Sequence, residues 1–359
     1  MRIRRRRAPR AATARPPPVA AARTTVHEAA PASSARHALI TAVLVVALGA
    51  IAASALLTSA NLAIHRTQNL QDSELGWWYL DGVEAWVKTI LQRDAQINNY
   101  DSLADIWAMP AALPVDEGGL RGTVTDLQGR FNINNLGLST VSTTSSTSTT
   151  SSSTSTTSST TGYASERECF ARLYVLATGG DSAQGELLAD AIRDYIDTDS
   201  EPTGSDGAED SDYLGMDPPR RAPNQPLQSV SELLGVRGMT ADLYVKLAPH
   251  LSALPLLTKI NVNTATPLLL QALASEPGSD LAQFTAERVT QPAESLAAFN
   301  KAVQLGSDAV PTSMLDIKSS YFELQTEAYI GSGRLELYSF LYRPSSGTPI
   351  VYGRSTFID

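Results

Sequence analysis

From Ala38 to Ala60 the chain reads ALITAVLVVALGAIAASALLTSA, 23 residues without a charge. As a helix rising about 1.5 Å per residue, such a run crosses a bilayer core of roughly 30 Å. It is longer than the roughly 7 to 15 apolar residues of a cleaved signal peptide, and no clean small-x-small site follows it. It therefore reads as a retained membrane anchor. Arginines 2, 4, 5, 6, 7, 10, 15, 23 and 36 all precede it. By the positive-inside rule the leader is cytoplasmic, and everything beyond about residue 62 lies on the far side of an inner membrane, in a periplasm or equivalent space. Past the apolar run the helical period continues through Tyr79, Val83, Trp86, Val87, Ile90 and Leu91, with Asp81, Glu84, Lys88 and Gln92 between them. One helix is expected from about 38 to 97, apolar all round at first and then amphipathic.

Charge and composition exclude several functions. The net charge is −9; nine arginines and one glutamate up to Arg36 account for +8, so everything after the leader carries −17. A body that acidic lacks the basic face a phosphate backbone requires, and nucleic acid is not an expected partner. Cys169 is the single cysteine, and His27, His37, His65 and His250 are scattered. Intrachain disulfides and Cys- or His-built metal sites are thereby excluded or disfavoured. Neither G-x-S-x-G, H-E-x-x-H nor a P-loop is present, and no enzyme is expected.

The remaining chain divides into strand-like ends and a helix-like middle. Residues 119–135 read as a hairpin around Gln128-Gly129, and Asp101 or Ser102 as the cap of a short helix in SLADIWAM. The C-terminus alternates in YFELQTEAYI (321–330), RLELYSFLYR (334–343) and IVYGRSTFI (350–358). Helical segments are expected at 170–176, 187–196, 231–234, 241–247, 267–274 and 281–298. Residues 139–161 are all Ser or Thr except Val141 up to Thr161, a composition that cannot bury apolar area and reads as a linker. The expected order is a basic leader (1–36), a membrane segment (37–61), the first part of a sheet domain (62–138), the linker (139–161), an inserted α-helical domain (162–312) and the C-terminal strands (313–359). The fold class is α+β, with one antiparallel sheet assembled from distant segments.

Several stretches taken together resemble one family. They are ALITAVLVVALGA (38–50), WWYLDGVEAW (77–86), DSLADIWAMP (101–110), QGRFNINNL (128–136), DYIDTDSEP (194–202), GAEDSDYL (207–214), SVSELLGVRGM (229–239) and INVNTAT (260–266). In this order they resemble the large minor pseudopilin of the type II secretion system, general secretion pathway protein K. The resemblance implies a pilin-like fold with a large helical insert, located at the tip of a periplasmic pseudopilus and helping to start its assembly. It implies other minor pseudopilins as partners and processing by prepilin peptidase. At the processing site Arg36 and His37 replace the family's glycine and hydrophobic residue, which argues against cleavage there. The fifth position after that bond is Thr41, where major pseudopilins carry a glutamate and this family does not. A carboxylate in the bilayer is costly unless paired, so a subunit with Thr41 has no need of a neighbour above it.

The acidic loop holds Asp197, Asp199, Glu201, Asp206, Glu209, Asp210 and Asp212 within sixteen residues. D-x-D-x-E supplies three convergent oxygens of the six to eight that calcium takes, and Pro202 and Ala208 exclude an EF-hand. Composition alone leaves a solvated acidic loop equally open. Resemblance to a calcium-binding family implies a calcium site, with Asp197, Asp199, Glu201, Glu209, Asp210 and Asp212 as the candidate ligands. Two fragments, LLGVRGMTADLYVKL (233–247) and KINVNTATPLLLQAL (259–273), have a helix-hairpin-helix cast. They offer the alternative of a membrane-anchored DNA-binding or DNA-uptake protein. Arg237 and Lys259 alone make no basic patch, so a packing role is the expected one.

Overall fold

The computed structural model describes residues 32–116, 118–137, 157–204, 207–276, 278–306 and 309–356. The arginine-rich leader before residue 32, most of the Ser/Thr linker and Asp206 lie outside the described residues. The chain divides into two units, Met1–Arg66 and Thr67–Asp359. In the first, the helix that begins at Ala32 exposes apolar side chains all round, among them Leu39, Val46 and Leu56. That helix, α1 (Ala32–Ile97), is long and apolar enough to cross a membrane.

In the second unit the same helix becomes amphipathic. Leu80, Val83, Val87 and Leu91 recur at three- and four-residue spacing and are buried, each burial worth roughly 1.5–3 kcal/mol. They pack on Leu120, Val124, Phe322, Leu324, Leu337 and Leu341. Those residues project from one face of a five-stranded antiparallel sheet in the order β1 (Ala111–Val115), β2 (Gly118–Asp126), β7 (Tyr321–Ile330), β8 (Gly333–Tyr342), β9 (Ile350–Ser355). Glu84, on the same helical face and 1 % exposed, accepts hydrogen bonds from Ser339 Oγ at 2.9 Å and from Arg354 at 2.7 and 2.8 Å. Burial raises its pKa, but the bonds from Arg354 and Ser339 outweigh burial and hold it below the usual carboxylate range.

The central pair of strands, β2 and β7, runs from Gly118 opposite Ile330 to Asp126 opposite Phe322, although residues 127–320 separate them. That intervening chain forms the helical region: α2 (Thr157–Thr178), α3 (Ser182–Ile196), α4 (Asp210–Leu214), α5 (Ala241–Leu247), α6 (Pro267–Ala272), α7 (Ser279–Glu287) and α8 (Leu296–Val303). Short parallel pairs join β3 (Phe131–Asn132) to β4 (Leu251–Ser252) and β5 (Ile260–Asn261) to β6 (Leu315–Asp316). A separate core holds it together, built on Phe131, Phe170, Leu173, Ile192, Tyr213, Leu269 and Phe299.

Three local expectations are corrected. Residues 119–135 do not form a hairpin. Asp126 accepts from the Gln128 N–H at 2.8 Å, a 3₁₀ turn follows, and the chain leaves the sheet. A Cβ at Gly129 would lie 2.7 Å from the Thr264 carbonyl oxygen, so this glycine admits a close crossing. The actual hairpin is β1–β2, disguised by Pro114 in its edge strand. Asp101 caps nothing: its carboxylate binds Arg343, and the short helix is one 3₁₀ turn, Ile106–Ala108. The helix expected over 281–298 is two, α7 and α8, interrupted where Pro292 cannot supply an N–H.

The asparagines of QGRFNINNL tie the start of the insert to its later loops. Asn134 Nδ2 donates to the carbonyls of Leu227 and Leu254 while its Oδ1 accepts from Leu227 N–H. Asn132 likewise accepts from Leu254 N–H and donates to the Leu256 carbonyl. Each buried amide thus satisfies loop backbone groups far away in sequence, where an orphan would cost about 1–3 kcal/mol.

Candidate functional site

The acidic loop begins where α3 ends. The Asp197 N–H closes the helix on the Arg193 carbonyl at 2.8 Å, and the next turn is shaped by Asp199, whose Oδ1 accepts from Glu201 N–H at 3.0 Å. The chain then returns past Gly207, where a Cβ would stand 2.2 Å from Asp194 Oδ2 and 2.5 Å from Thr203 N. Only glycine lets the returning strand reach Glu209, the residue preceding α4. As a result Asp197, Asp199 and Glu209 each bring a carboxylate oxygen within 4.8 Å of the others.

This gathering is electrostatically unfavourable as it stands. Asp197 and Glu209 are 8 % and 4 % exposed, and Oδ1 of Asp197 and both carboxylate oxygens of Glu209 are buried with no hydrogen-bond partner. Burial, then Asp199 and Asp194, push Asp197 up to about 6; the Arg193 guanidinium, 3.5 Å away, offsets this only in part. Burial, then Asp194, Asp197 and Asp199, push Glu209 up to about 7. Asp194 belongs to the same neighbourhood. Its fully buried carboxylate accepts from Thr203 N–H at 3.0 and 3.1 Å, and burial raises its pKa. Its place one turn before Asp197 on α3 is the signal in the sequence that points to it.

The other candidate ligands are placed elsewhere. Asp210 accepts from Ala222 N–H at 3.0 Å and lies 3.7 Å from Arg221. Asp212 accepts from Arg237 Nη1 at 2.6 Å and from the Glu209 N–H at 3.4 Å. Glu201 is exposed and does not join the three-carboxylate group. In the membrane segment Arg36 and His37 are exposed, and the Thr41 hydroxyl donates to the Ala38 carbonyl within its own helix at 3.0 Å.

A second group of three carboxylates lies in the sheet domain: Asp94 near the end of α1, with Asp101 and Asp105 in the loop after it. Here a guanidinium sits among them. Arg343, 6 % exposed, donates from Nη2 to both oxygens of Asp101 at 2.6 and 2.5 Å and from Nη1 to Asp94 at 3.2 Å. Its flat face lies over Phe322, 4.8 Å from the ring centroid. Asp105 accepts from the Ser102 N–H at 2.7 Å. Asp94 is still pushed up to about 7, by burial first and then by Asp105 and Asp101.

A long N-terminal helix laid along an antiparallel sheet, with a helical region inserted between adjacent strands, defines a pilin-like fold. A family model described as type II secretion system (T2SS), protein K matches residues 129–256. The type II secretion system protein K of Aeromonas hydrophila is 33 % identical over 329 residues, covering 88 % of this chain and 95 % of that one. The protein K of Pseudomonas aeruginosa is 33 % identical over 327 residues, covering 88 % and 91 %. The fold is also that of a solved structure titled the GspK-GspI-GspJ complex from the enterotoxigenic Escherichia coli type 2 secretion system. That match has 25 % identity, covers 82 % of this chain and 100 % of that one, and has a TM-score of 0.58. The chain belongs to the type II secretion system protein K family of minor pseudopilins.

Proposed function

We propose that this protein is a non-catalytic tip subunit of the type II secretion pseudopilus that helps to initiate its assembly. In this reading it is anchored in the inner membrane by residues 38–60, with the second unit in the periplasm, and it binds other minor pseudopilins. The observation that carries the reading is the interruption of the sheet: β2 and β7 are neighbours, yet a domain-sized insert leaves and re-enters between them. A slim filament stacks subunits on all sides, and such bulk is best tolerated where nothing stacks above. Thr41 is consistent with this, since its hydroxyl is satisfied inside its own helix and asks nothing of a neighbour. The solved relative's complex with GspI and GspJ of the type 2 secretion system supports partners from the same machine.

The non-catalytic reading rests on the fate of the reactive side chains. The Cys169 thiol is fully buried and burial raises its pKa; His250 Nδ1 is 3.0 Å from Thr266 Oγ1 in a packing contact. The acidic cluster is read as a calcium site centred on Asp197, Asp199 and Glu209. An all-oxygen donor set with orphaned buried carboxylates suits a hard divalent cation, which would neutralise their repulsion. The helix-hairpin-helix fragments serve packing, with Leu233, Leu247, Leu269 and Leu270 in the insert core.

The test is position and dependence. Gold-labelled antibody against the insert should mark one end of isolated pseudopili, and deletion of the protein should reduce their number. Labels spaced along the filament, or undiminished filaments in the deletion strain, overturn the tip reading. A reporter fused to the C-terminus that is active only in the cytoplasm overturns the orientation.

A further inference from the structure

The sheet has a second face, turned away from α1, and the insert leans over one end of it. Between them opens a cleft of about 450 Å³, within the range of small-molecule sites, which favour such junctions between structural units. Its floor carries Tyr338 and Phe340 of β8 and Tyr352 of β9, and its opposite wall carries Tyr244 of α5. Phe340 and Tyr352 lie 6.0 Å apart, centroid to centroid, at 39°. Leu127, Leu254 and Tyr321 form a buried base between sheet and insert.

The polar groups of the cleft restrict what fits it. Arg130 and Glu323 face each other at 4.0 Å, so the lining offers charges of both signs that already balance. A strongly charged ligand gains little there. β8 spends its backbone groups on its neighbours on both sides, while β9 is the edge of the sheet with its open side turned away from β8. Over the face of the sheet an extended peptide finds no ladder to extend, and recognition there must come from side chains. Ser252, 2 % exposed on the insert wall, has an Oγ with no hydrogen-bond partner. A buried hydroxyl left unsatisfied calls for an explanation, and a ligand hydroxyl is one.

We propose that this cleft binds a neutral saccharide, its apolar ring faces against the aromatic side chains and its hydroxyls bonded to Ser252, Arg130 and Gln228. Aromatic rings with polar side chains at their rim suit a ligand that is apolar on its faces and polar at its edges. The site uses no residue of the acidic loop and is independent of the tip reading.

The experiment is saturation-transfer NMR on the full-length protein in dodecyldimethylamine oxide, a detergent without a sugar headgroup. The probes are triacetylchitotriose, cellotriose and maltotriose. At least one should receive saturation at its ring protons. Tyr352→Ala should weaken its binding on the order of fivefold, as loss of one aromatic contact does, and Ser252→Ala should also weaken it. Trp78→Ala, an exposed α1 position outside the cleft, should leave binding unchanged. Should Ser252→Ala fail to fold, the half-exposed Tyr352 keeps the test decisive. Absence of transfer to all three sugars, or transfer indifferent to Tyr352→Ala, overturns the proposal. So does a Tyr- and Leu-bearing decapeptide that occupies the cleft when no sugar does.

Discussion

The two carboxylate triads solve the same electrostatic problem in different ways. Asp94, Asp101 and Asp105 are crowded as closely as Asp197, Asp199 and Glu209, but the first triad has a cation built into the chain. Arg343 arrives from the end of the sheet and bonds two of its members. In the second, Arg193 lies 3.5 Å from Asp197, and Glu209 keeps two buried oxygens with no hydrogen-bond partner. The comparison teaches where to look for an ion: not where acids are most numerous, but where the fold has gathered them without bringing their counter-charge.

The sharpest way to break this comparison is to remove the built-in cation. Arg343→Met leaves Asp94 and Asp101 buried without it, and breaking such a pair costs about 3–5 kcal/mol. Thermal unfolding of the purified protein should show a large loss that calcium does not restore. Rescue by calcium would mean that the sheet-domain triad is itself a cation site.

Next in size is chelation. If calcium binds only the native state, a free concentration a hundredfold above Kd adds roughly 2.7 kcal/mol. Chelator should lower the melting temperature, and Glu209→Gln and Asp199→Ala should each remove most of that difference. Magnesium at matched ionic strength should not substitute. Identical melts with calcium and with chelator would leave only a solvated acidic loop.

The pH dependence sharpens the contrast. Asp197 and Glu209 titrate in the ion-free fold at about 6 and about 7, above their ordinary 3.8 and 4.5. The folded state therefore holds protons that the unfolded state has released, and stability falls as pH rises from about 4 through 7. Calcium should reverse this, so the calcium-induced rise in melting temperature should grow between pH 5 and pH 8. A rise that is flat across this window would remove Asp197 and Glu209 from the ligand set. The smallest effect is expected from Asp210→Asn. Its partners are Ala222 N–H and partly exposed Arg221, so it should shift stability by less than about 1 kcal/mol and leave the calcium response intact.

What the sequence disclosed followed from period and composition. The alternating strands at 321–355 and the apolar half of α1 are local patterns and were legible. The stripe on the amphipathic half was read slightly rotated. Leu80 is buried where Tyr79 was expected, and Trp86 is 46 % exposed, because a helical face cannot be fixed before its partner is known. The acidic loop was visible as composition, but which carboxylates converge depends on Gly207 and the return of the chain. Arg343 with Asp101 was invisible, since their 242-residue separation leaves no local trace.

The adjacency of β2 and β7 also imposes a schedule. β7 and β8, which cover Leu80, Val83, Val87 and Leu91 together with β2, are synthesised only after the whole insert, and pairings so distant in sequence are slow to form. Until β8 and β9 are in place, Glu84 has neither Ser339 nor Arg354, and a carboxylate sits on a greasy stripe with no reason to be buried. A chain cut short anywhere in the insert keeps its tether and its sticky helix but lacks the seal. Synthesis of β7, β8 and β9 is thus what turns a hazardous nascent chain into a sealed one.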